Sequence, residues 1–319
     1  MSLIEQAAKR LEQLRQAGVE LPEQESTPLP THSARSVNVA PPHNLQHTEA
    51  APSVASVPPE KPSPSKTSAA QSKKVELNLE ALAASGLLVP QASRSQLADE
   101  YRVIKRPLIA NAMGKSGSEI QHGNLIMVTS ALPGEGKSFT AINLAISIAM
   151  ELDNTVMLVD ADVARPSVLT MLGLPPAQGL LDVVQKNSVD ISEVILRTSI
   201  EKLSILPSGT QHPRATELLA SDAMIRLLDD MSRRYSDRII IFDSPPLLLT
   251  TEARALATHM GQIVIVVNAE NTAQAAVKQA ITTLEACPVK MLVLNQSRQV
   301  SSDRYGYGYG QAYGYGHDQ

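Results

Sequence analysis

The sequence predicts an α/β fold with a mostly parallel central sheet that is covered by helices on both faces. From residue 124 onward, short apolar runs without polar alternation are separated by segments with helical spacing. Strands of parallel sheets are buried on both faces and need a crossover helix between them, which accounts for both features. The predicted strands are the run that starts at 125 and the segments 155–162, 203–209, 238–246, 262–270 and 291–296. In such a sheet, ligands bind beyond the carboxyl ends of the strands.

The chain begins with a predicted amphipathic helix, residues 1–18. Its apolar stripe consists of Leu3, Ile4, Ala7, Leu11 and Leu14. A lone helix of this length is marginal in water, so we expect it to dock on a partner, on the folded domain or on a membrane surface. Its small net charge favours a partner over lipid. A fraying helix without a role is the alternative.

Residues 19–74 are predicted to form a disordered linker. The segment 22–74 contains ten prolines, many small residues and no aromatic residue. This composition cannot bury enough apolar surface to offset the entropy that is lost on ordering. The folded domain is therefore expected to span residues 75–300.

A charged helix is predicted near residues 97–113, where Pro107 is expected to kink it or to start a new segment. Its charged residues are Asp99, Glu100, Arg102, Lys105 and Arg106. A solvated face is the simple interpretation of this pattern. A surface for self-association is the alternative.

A glycine-rich loop lies between the first strand of the sheet and a long apolar helix. The segment from Ala131 to Ser138 fits the phosphate-binding pattern G-x-x-x-x-G-K-[ST], with alanine in place of the first glycine. Gly134 and Gly136 let backbone N–H groups converge on phosphate oxygens. Lys137 can reach the β- and γ-phosphates, and the Ser138 hydroxyl can ligate Mg²⁺. A glycine turn with an accidental lysine is the alternative. The predicted nucleotide contacts are Pro133, Gly134, Glu135, Gly136, Lys137, Ser138 and Phe139.

Three aspartates follow predicted strands at the same edge of the sheet. Asp243 follows the apolar run IIIF, which is the Walker B arrangement that brings a carboxylate to the Mg²⁺ of a nucleotide site. An aspartate that only caps a strand end is the alternative. Asp160 and Asp162 end the run TVMLVDAD, and two carboxylates so close to a triphosphate are costly unless metal or reaction chemistry uses them. Asn295 follows the last strand and is expected at this edge too.

The last residues, 301–319, are predicted to form a flexible tail that is rich in tyrosine and glycine. Five of the seven tyrosines of the chain are there: Tyr305, Tyr307, Tyr309, Tyr313 and Tyr315. Glycine spacing keeps such a segment from folding on its own. A sticky low-complexity tail is one interpretation. The other is that an active site grips these phenolic hydroxyls on an extended backbone.

The composition excludes several classes of protein. The net charge of −4 provides no basic field that would attract nucleic acid. The single cysteine excludes an intramolecular disulfide and fits a reducing compartment. The sequence has no apolar run of about 18 residues that would span a membrane, and it lacks the layout of a signal peptide. We therefore expect a cytoplasmic protein.

In combination, four motifs resemble those of the bacterial tyrosine kinases (BY-kinases), which control capsule and exopolysaccharide production. The motifs are SALPGEGKS (Walker A), VMLVDAD (A′), IIIFDSPP (Walker B) and the C-terminal tyrosine cluster, and the resemblance covers about residues 97–319. The proline-rich N-terminal extension resembles that of the exosortase-associated tyrosine autokinases of exopolysaccharide loci. The resemblance implies a P-loop NTPase fold of the ParA/MinD-like kind. It also implies that Asp160 helps activate the tyrosine hydroxyl, that Asp162 and Asp243 organise the metal, and that Asn295 contacts adenine.

Two motifs depart from the family pattern. The A′ motif of the family commonly reads D-x-D-x-R-x-P, but residues 160–166 read DADVARP, which displaces Arg165 by one position and leaves its role open. The family's oligomerisation helix reads E-x-x-R-x-x-R, and the nearest match, DEYRVIK at 99–105, keeps the charge pattern but not the residue types.

The resemblance implies ATP- and Mg²⁺-dependent autophosphorylation of the tail tyrosines in trans, within a homo-oligomer for which a ring is one arrangement. It further implies a separate inner-membrane chain-length or co-polymerase protein as activator, a tyrosine phosphatase, and a peripheral position at the inner membrane through the activator. A ParA/MinD-like positioning ATPase is the rival. Such proteins typically carry an extra lysine early in the P-loop, and SALPGEGK has none before Lys137. A catalytically idle scaffold is the third interpretation.

Overall fold

A computed structural model describes residues 73–92, 94–117, 119–185, 189–284 and 286–297. The predicted N-terminal helix (1–18) and tyrosine tail (301–319) lie outside these residues, as does the predicted linker except for its last two positions. The described strands are β1 (Lys74–Val75), β2 (Leu125–Ser130), β3 (Thr155–Asp160), β4 (Leu196–Thr198), β5 (Leu203–Leu206), β6 (Arg238–Asp243), β7 (Gln262–Asn268) and β8 (Val289–Asn295).

Ten α-helices lie within the same residues. They are α1 (Leu79–Ala84), α2 (Gln96–Ala112), α3 (Lys137–Ala149), α4 (Val168–Met171), α5 (Leu180–Gln185), α6 (Ile191–Val194), α7 (Ala215–Leu219), α8 (Asp222–Arg234), α9 (Thr251–Ala257) and α10 (Gln274–Thr282), and a 3₁₀ turn forms at Pro90–Ala92. None of these described helices has both the length and the apolar character that crossing a membrane requires.

The described strands form one sheet in the order β1-β4-β5-β3-β6-β2-β7-β8. Among their pairings, β4 with β5 is antiparallel and the others are parallel. The predicted α/β class with a mostly parallel sheet is confirmed. The sequence does not predict β1 or β4, and β1 starts at Lys74, one residue before the predicted domain boundary.

Each face of the sheet packs against its own apolar core. In β2, Leu125 and Met127 belong to one core, whereas Ile126 and Val128 belong to the other. Helices α8 and α9 contribute to the first core, and α3 contributes to the second. Because both faces are covered, every residue of β2 is buried, which explains the unbroken apolar runs in the sequence.

Of the two predictions for Pro107, a kink or a new segment, the new segment is wrong, because helix α2 continues through this residue. Proline lacks the N–H group that would bond to the carbonyl of Val103, one turn earlier. Val103 is 74% exposed, so water can solvate this carbonyl. The helix is anchored on both sides of the proline, because Tyr101 and Leu108 are buried in the core that contains α3.

The strand register brings the predicted functional residues to one edge of the sheet. Asp243 at the end of β6 pairs with Val128 of β2 and with Asp160 of β3. Asn268 at the end of β7 pairs with Asn295 at the end of β8. Because these strands are parallel, their carboxyl ends lie side by side, and the glycine-rich loop that follows β2 lies among them.

Candidate active site

The loop between β2 and α3 has the backbone that its glycines permit. Gly134 and Gly136 have φ angles of 81° and 89°, in the left-handed region that residues with a Cβ rarely adopt. Gly136 is the N-cap of α3, and a Cβ on it would also collide with Nδ2 of Asn295. These two glycines therefore set the position of the first turn of α3, whose N–H groups and dipole favour an anion.

Groups at and just beyond the ends of β7 and β8 fix the loop. Glu135 is 2% exposed, and its Oε2 accepts a hydrogen bond of 2.6 Å from the Leu132 amide. Its Oε1 accepts from the Asn268 amide at 3.4 Å and from the Thr272 hydroxyl. Asn295 Nδ2 donates to the Glu135 carbonyl at 2.9 Å. The Glu135 side chain thus braces the loop from within, which the motif alone does not indicate.

The P-loop lysine is paired with carboxylates of two other motifs. Nζ of Lys137 lies 2.7 Å from Oδ2 of Asp162 and 3.8 Å from Oδ1 of Asp243. The adjacent Ser138 hydroxyl accepts a hydrogen bond of 2.8 Å from the hydroxyl of Ser167. Walker A, A′ and Walker B residues therefore meet at one point, as the sequence predicts.

Asp160 lies beside this point and caps α4. Its Oδ2 accepts hydrogen bonds from the amides of Ser167 at 3.1 Å and Val168 at 3.0 Å. Within the described residues, its Oδ1 is buried without a hydrogen-bond partner. Burial, and then the neighbouring charge of Asp243, raise the pKa of Asp160 to about 7. This carboxyl group can therefore exchange a proton near neutral pH.

Asp243 is fully buried, and in the described part of the chain neither of its carboxylate oxygens has a hydrogen-bond partner. Burial raises the pKa of Asp243 to about 6, although Lys137 and the Ser138 hydroxyl act in the opposite direction. Buried charges are normally paired or bound to a metal ion. Within the described residues the two oxygens make no hydrogen bond, Oδ1 faces the Lys137 ammonium group at 3.8 Å, and the Ser138 hydroxyl and Asp162 are neighbours; these oxygen groups fit a hard cation such as Mg²⁺.

The Ser138 hydroxyl and the carboxylates of Asp162 and Asp243 are oxygen donors, the kind of ligand that Mg²⁺ prefers. Mg²⁺ usually takes one or two carboxylates and completes its shell with water and substrate phosphates. The site fits that mode of binding.

A cavity of about 410 Å³ opens beside the lysine. Lys137 and Asp162 contribute polar groups to its lining, and Pro245, Pro246 and Leu249 from the loop after β6 contribute apolar ones, which we call its apolar wall. The displaced Arg165 also lines this cavity, so the fold brings it to the site in spite of its shifted position in the A′ motif.

The structure does not bring every predicted site residue to this point. Phe139, half-buried in the first turn of α3, packs against the core beneath that helix. The five tail tyrosines lie outside the described residues. Sequence reasoning does not single out Thr272 and Gln296, although Gln296 Nε2 donates to the Gly134 carbonyl at 3.3 Å. Their one signal is position, since both follow strands that end at the P-loop edge.

Comparison with known proteins agrees with this geometry. A family model described as AAA domain matches residues 123–297. The tyrosine-protein kinase YwqD of Bacillus subtilis (strain 168) is 34% identical over 184 residues, which cover 57% of this chain and 76% of that protein. The putative tyrosine-protein kinase EpsB of Ralstonia nicotianae is 30% identical over 204 residues, 64% of this chain and 26% of its own length.

Among solved structures, the kinase domain of the Escherichia coli tyrosine kinase ETK superposes with a TM-score of 0.55 at 26% identity. The match covers 66% of this chain and 80% of that chain. The fold and the P-loop site thus define a nucleotide-binding protein of the AAA domain family. Within it, the chain belongs to the bacterial tyrosine kinases, which confirms the resemblance of its motifs. It spans about a quarter of the longer relative EpsB.

Proposed function

We propose that this protein is an ATP-dependent protein-tyrosine autokinase that phosphorylates its own C-terminal tyrosines in trans and thereby regulates exopolysaccharide or capsule biosynthesis or export. One observation carries the proposal. Lys137, Asp162 and Asp243 converge at a phosphate-binding loop in a chain of the tyrosine kinase family. The apolar wall beside them is suited to an aromatic acceptor.

The loop and the lysine would bind the nucleotide. Backbone N–H groups from Gly134 to Ser138, at the N-terminus of α3, surround the phosphates, and Lys137 leaves Asp162 to contact the γ-phosphoryl group. Mg²⁺, when bound, would supply positive charge that offsets the charge of the phosphates. The Ser138 hydroxyl, Asp162 and Asp243 would hold it, and Asn295 would contact the adenine.

In the transfer step, the tyrosine oxygen forms a bond to the γ-phosphorus while the bond from that phosphorus to the β,γ-bridging oxygen breaks, and ADP leaves. The phenolic proton passes through one water molecule to Asp160, whose Oδ1 makes no hydrogen bond within the described residues and whose raised pKa of about 7 lets it hold a proton. Catalysis then depends mainly on positioning and on charge neutralisation by Lys137.

The acceptors are Tyr305, Tyr307, Tyr309, Tyr313 and Tyr315. Each phosphate adds about −1.5 to −2 charges at neutral pH. Several such groups on one tail would be repelled by the acidic carboxylates of the site, which favours release of the tail after reaction. A cycle of assembly and release would then regulate polymer length or export.

Helix α2 is the proposed surface for homo-oligomerisation, with a ring as one arrangement. Of its predicted charged triplet, Lys105 is buried, and its Nζ lies 2.6 Å both from the Ser147 carbonyl and from Glu151 Oε1. Lys105 therefore braces α2 against the end of α3. Asp99 and Arg102 form an exposed ion pair one turn away, and they are the positions that a second copy would contact.

We further propose that a separate inner-membrane polysaccharide chain-length or co-polymerase protein activates the kinase and brings it to the cytoplasmic side of that membrane. A tyrosine phosphatase would reverse the modification. The activator is proposed from the family membership of the chain. The phosphatase is proposed because the negative charge that phosphorylation adds to the tail must be removed before the tail can bind again.

Transfer in trans is tested by mixing two versions of the full chain. The acceptor is Lys137→Ala labelled with heavy isotopes, and the enzyme is the unlabelled wild type with Mg·ATP. Phosphotyrosine on the heavy tail is the expected result. ATP turnover without phosphotyrosine on either tail, with a candidate activator present, would instead identify a positioning ATPase.

A further inference from the structure

We infer that the acceptor tyrosine is held by an apolar clamp made of Pro245, Pro246 and Leu249. We call these three residues the acceptor clamp. The inference rests on the proposed function and adds the residues that select a tyrosine. Its occupant is a tail tyrosine of a second copy of this chain.

The first observation is the exposure of Leu249. Leu249 is 61% exposed and is one of five exposed large apolar residues in the described part of the chain. Single exposed apolar residues are common and need no explanation by themselves. Leu249 differs because it lines the same cavity as Lys137 and Asp162. Its apolar surface is therefore available at the place where the phosphoryl group is transferred.

The second observation is that the clamp is held firmly against the P-loop strand. The Thr129 hydroxyl donates to the Pro245 carbonyl at 2.7 Å, and the Leu247 amide donates to the Ser130 carbonyl at 2.9 Å. The two prolines also restrict φ and stiffen the loop. The wall of the cavity is thus preorganised, which reduces the entropy lost when it binds a ligand.

The third observation is that polar and apolar groups line the same cavity. Its volume of about 410 Å³ lies within the usual range for ligand pockets. A tyrosine in this cavity would direct its hydroxyl towards Lys137 and Asp162 and cover the clamp with its ring. A serine or threonine acceptor has no ring to cover this wall, so the clamp favours tyrosine.

The chemistry of the tail matches this site. Each of its five tyrosines, from Tyr305 to Tyr315, has a glycine on at least one side. Glycine has no Cβ and adopts most backbone conformations, so the backbone can pass close to the rim while the ring enters. A second cavity, of about 560 Å³, opens beside Asp160, but Lys137 is not among its described lining residues. The cavity with the clamp is the one that reaches the phosphoryl-binding lysine.

The test uses full-length Leu249→Ser as the enzyme and isotopically heavy, full-length Lys137→Ala as the acceptor, with Mg·ATP. Phosphotyrosine on the heavy tail is measured over a range of acceptor concentrations. We expect the apparent acceptor KM to rise about tenfold, because serine buries far less apolar surface than leucine. Affinity for a non-hydrolysable ATP analogue should stay within about twofold of the wild type, since the clamp contacts the acceptor and the P-loop contacts the nucleotide.

Two variants complete the design. Leu249→Phe retains a large apolar side chain, so its acceptor KM should stay close to that of the wild type. Leu152→Ser is the matched control, because Leu152 is an exposed leucine that follows α3 at the opposite end from the P-loop. It should leave both constants unchanged.

The outcomes separate the clamp from the function on which it rests. If the wild type itself transfers no phosphate to the heavy tail, the proposed function fails. If the wild type transfers phosphate and Leu249→Ser has the same acceptor KM, the clamp is wrong and the kinase remains. Weaker binding of the ATP analogue to Leu249→Ser would also overturn the clamp, because Leu249 would then contact the nucleotide.

Discussion

Lys137 and Asp162 form an ion pair of 2.7 Å between the P-loop and the A′ segment. In this arrangement, the lysine that should contact phosphate is paired with a carboxylate that should contact the metal. We propose that nucleotide and Mg²⁺ bind together, so that each residue exchanges its partner. The pair keeps two partly buried charges compensated until that exchange takes place.

Removing the lysine should abolish phosphoryl transfer. We expect Lys137→Ala to lower the rate of tyrosine phosphorylation by about 100-fold or more, because one preorganised charge at the transferred group is lost. Quantitative mass spectrometry of the tail measures this rate. Lys290→Ala, far from the P-loop on β8, is the control. A catalytically idle scaffold would show the same behaviour in both variants.

Asp160 should make the protein less stable as the pH rises. Its pKa is raised to about 7, so the folded state binds its proton more tightly than the unfolded state does. The free energy of unfolding should therefore fall as the pH rises from about 4 to about 7. Asp160→Asn removes this dependence and should stabilise the protein above pH 7 by about 1–3 kcal/mol while it abolishes transfer.

Thermal unfolding of both proteins between pH 5 and pH 8, values chosen to bracket the pKa of about 7, measures this effect. The asparagine can still accept the two amide hydrogen bonds at the start of α4 through its carbonyl oxygen. Asp237→Asn, at an exposed position, is the matched control. Equal stability of Asp160→Asn and wild type at pH 8 would contradict the account of this carboxyl group.

Glu135 should affect nucleotide binding through the shape of the loop. One carboxylate oxygen of Glu135 accepts from the backbone N–H of Leu132, and the other accepts from the backbone N–H of Asn268 and the Thr272 hydroxyl. In Glu135→Gln, an NH₂ group replaces one of these two oxygens. We expect the unfolding free energy to fall by about 1–3 kcal/mol because a buried amide loses its acceptor. Affinity for ATP should fall several-fold.

Calorimetry with a non-hydrolysable ATP analogue measures that affinity. Glu201→Gln, at an exposed position, provides the control. If Glu135→Gln binds the analogue as tightly as the wild type does, the brace does not shape the phosphate site.

Helix α2 allows self-association and internal bracing to be separated. Arg102→Glu changes an exposed charge and should weaken association with little effect on the melting temperature. Lys105→Ala leaves Glu151 without its partner and should lower the unfolding free energy by about 1–3 kcal/mol. Sedimentation velocity and thermal unfolding measure the two effects. An unchanged oligomer in Arg102→Glu would remove α2 from the proposed interface.

The long central strands are predictable because their burial is visible in the sequence. Residues 239–242 are apolar because β6 lies between β3 and β2 with both faces covered, and Asp243 marks its end. The same reasoning predicts the edge at which the nucleotide motifs meet. This reasoning does not predict strands β1 and β4, because they have only two and three residues and their pairing depends on tertiary contacts.

The site is only partly predictable for a related reason. A motif identifies Lys137, Ser138 and Asp243 through residue type and spacing, which the chemistry of phosphate binding restricts. It does not reveal that the Glu135 side chain braces the loop, since that role depends on Asn268 and Thr272, more than 130 residues away in the sequence. The exposure of Leu249 is likewise a property of the folded loop.

The central claim is that the Lys137 site transfers phosphate to tyrosines of the tail. Intact mass and peptide mapping of the full chain after incubation with Mg·ATP test it most directly, beside Lys137→Ala and a chain truncated after Asp303. The account predicts phosphotyrosine between residues 305 and 315 in the wild type and none in Lys137→Ala. Phosphate release to water with an unmodified tail, even with a candidate membrane activator present, would contradict it.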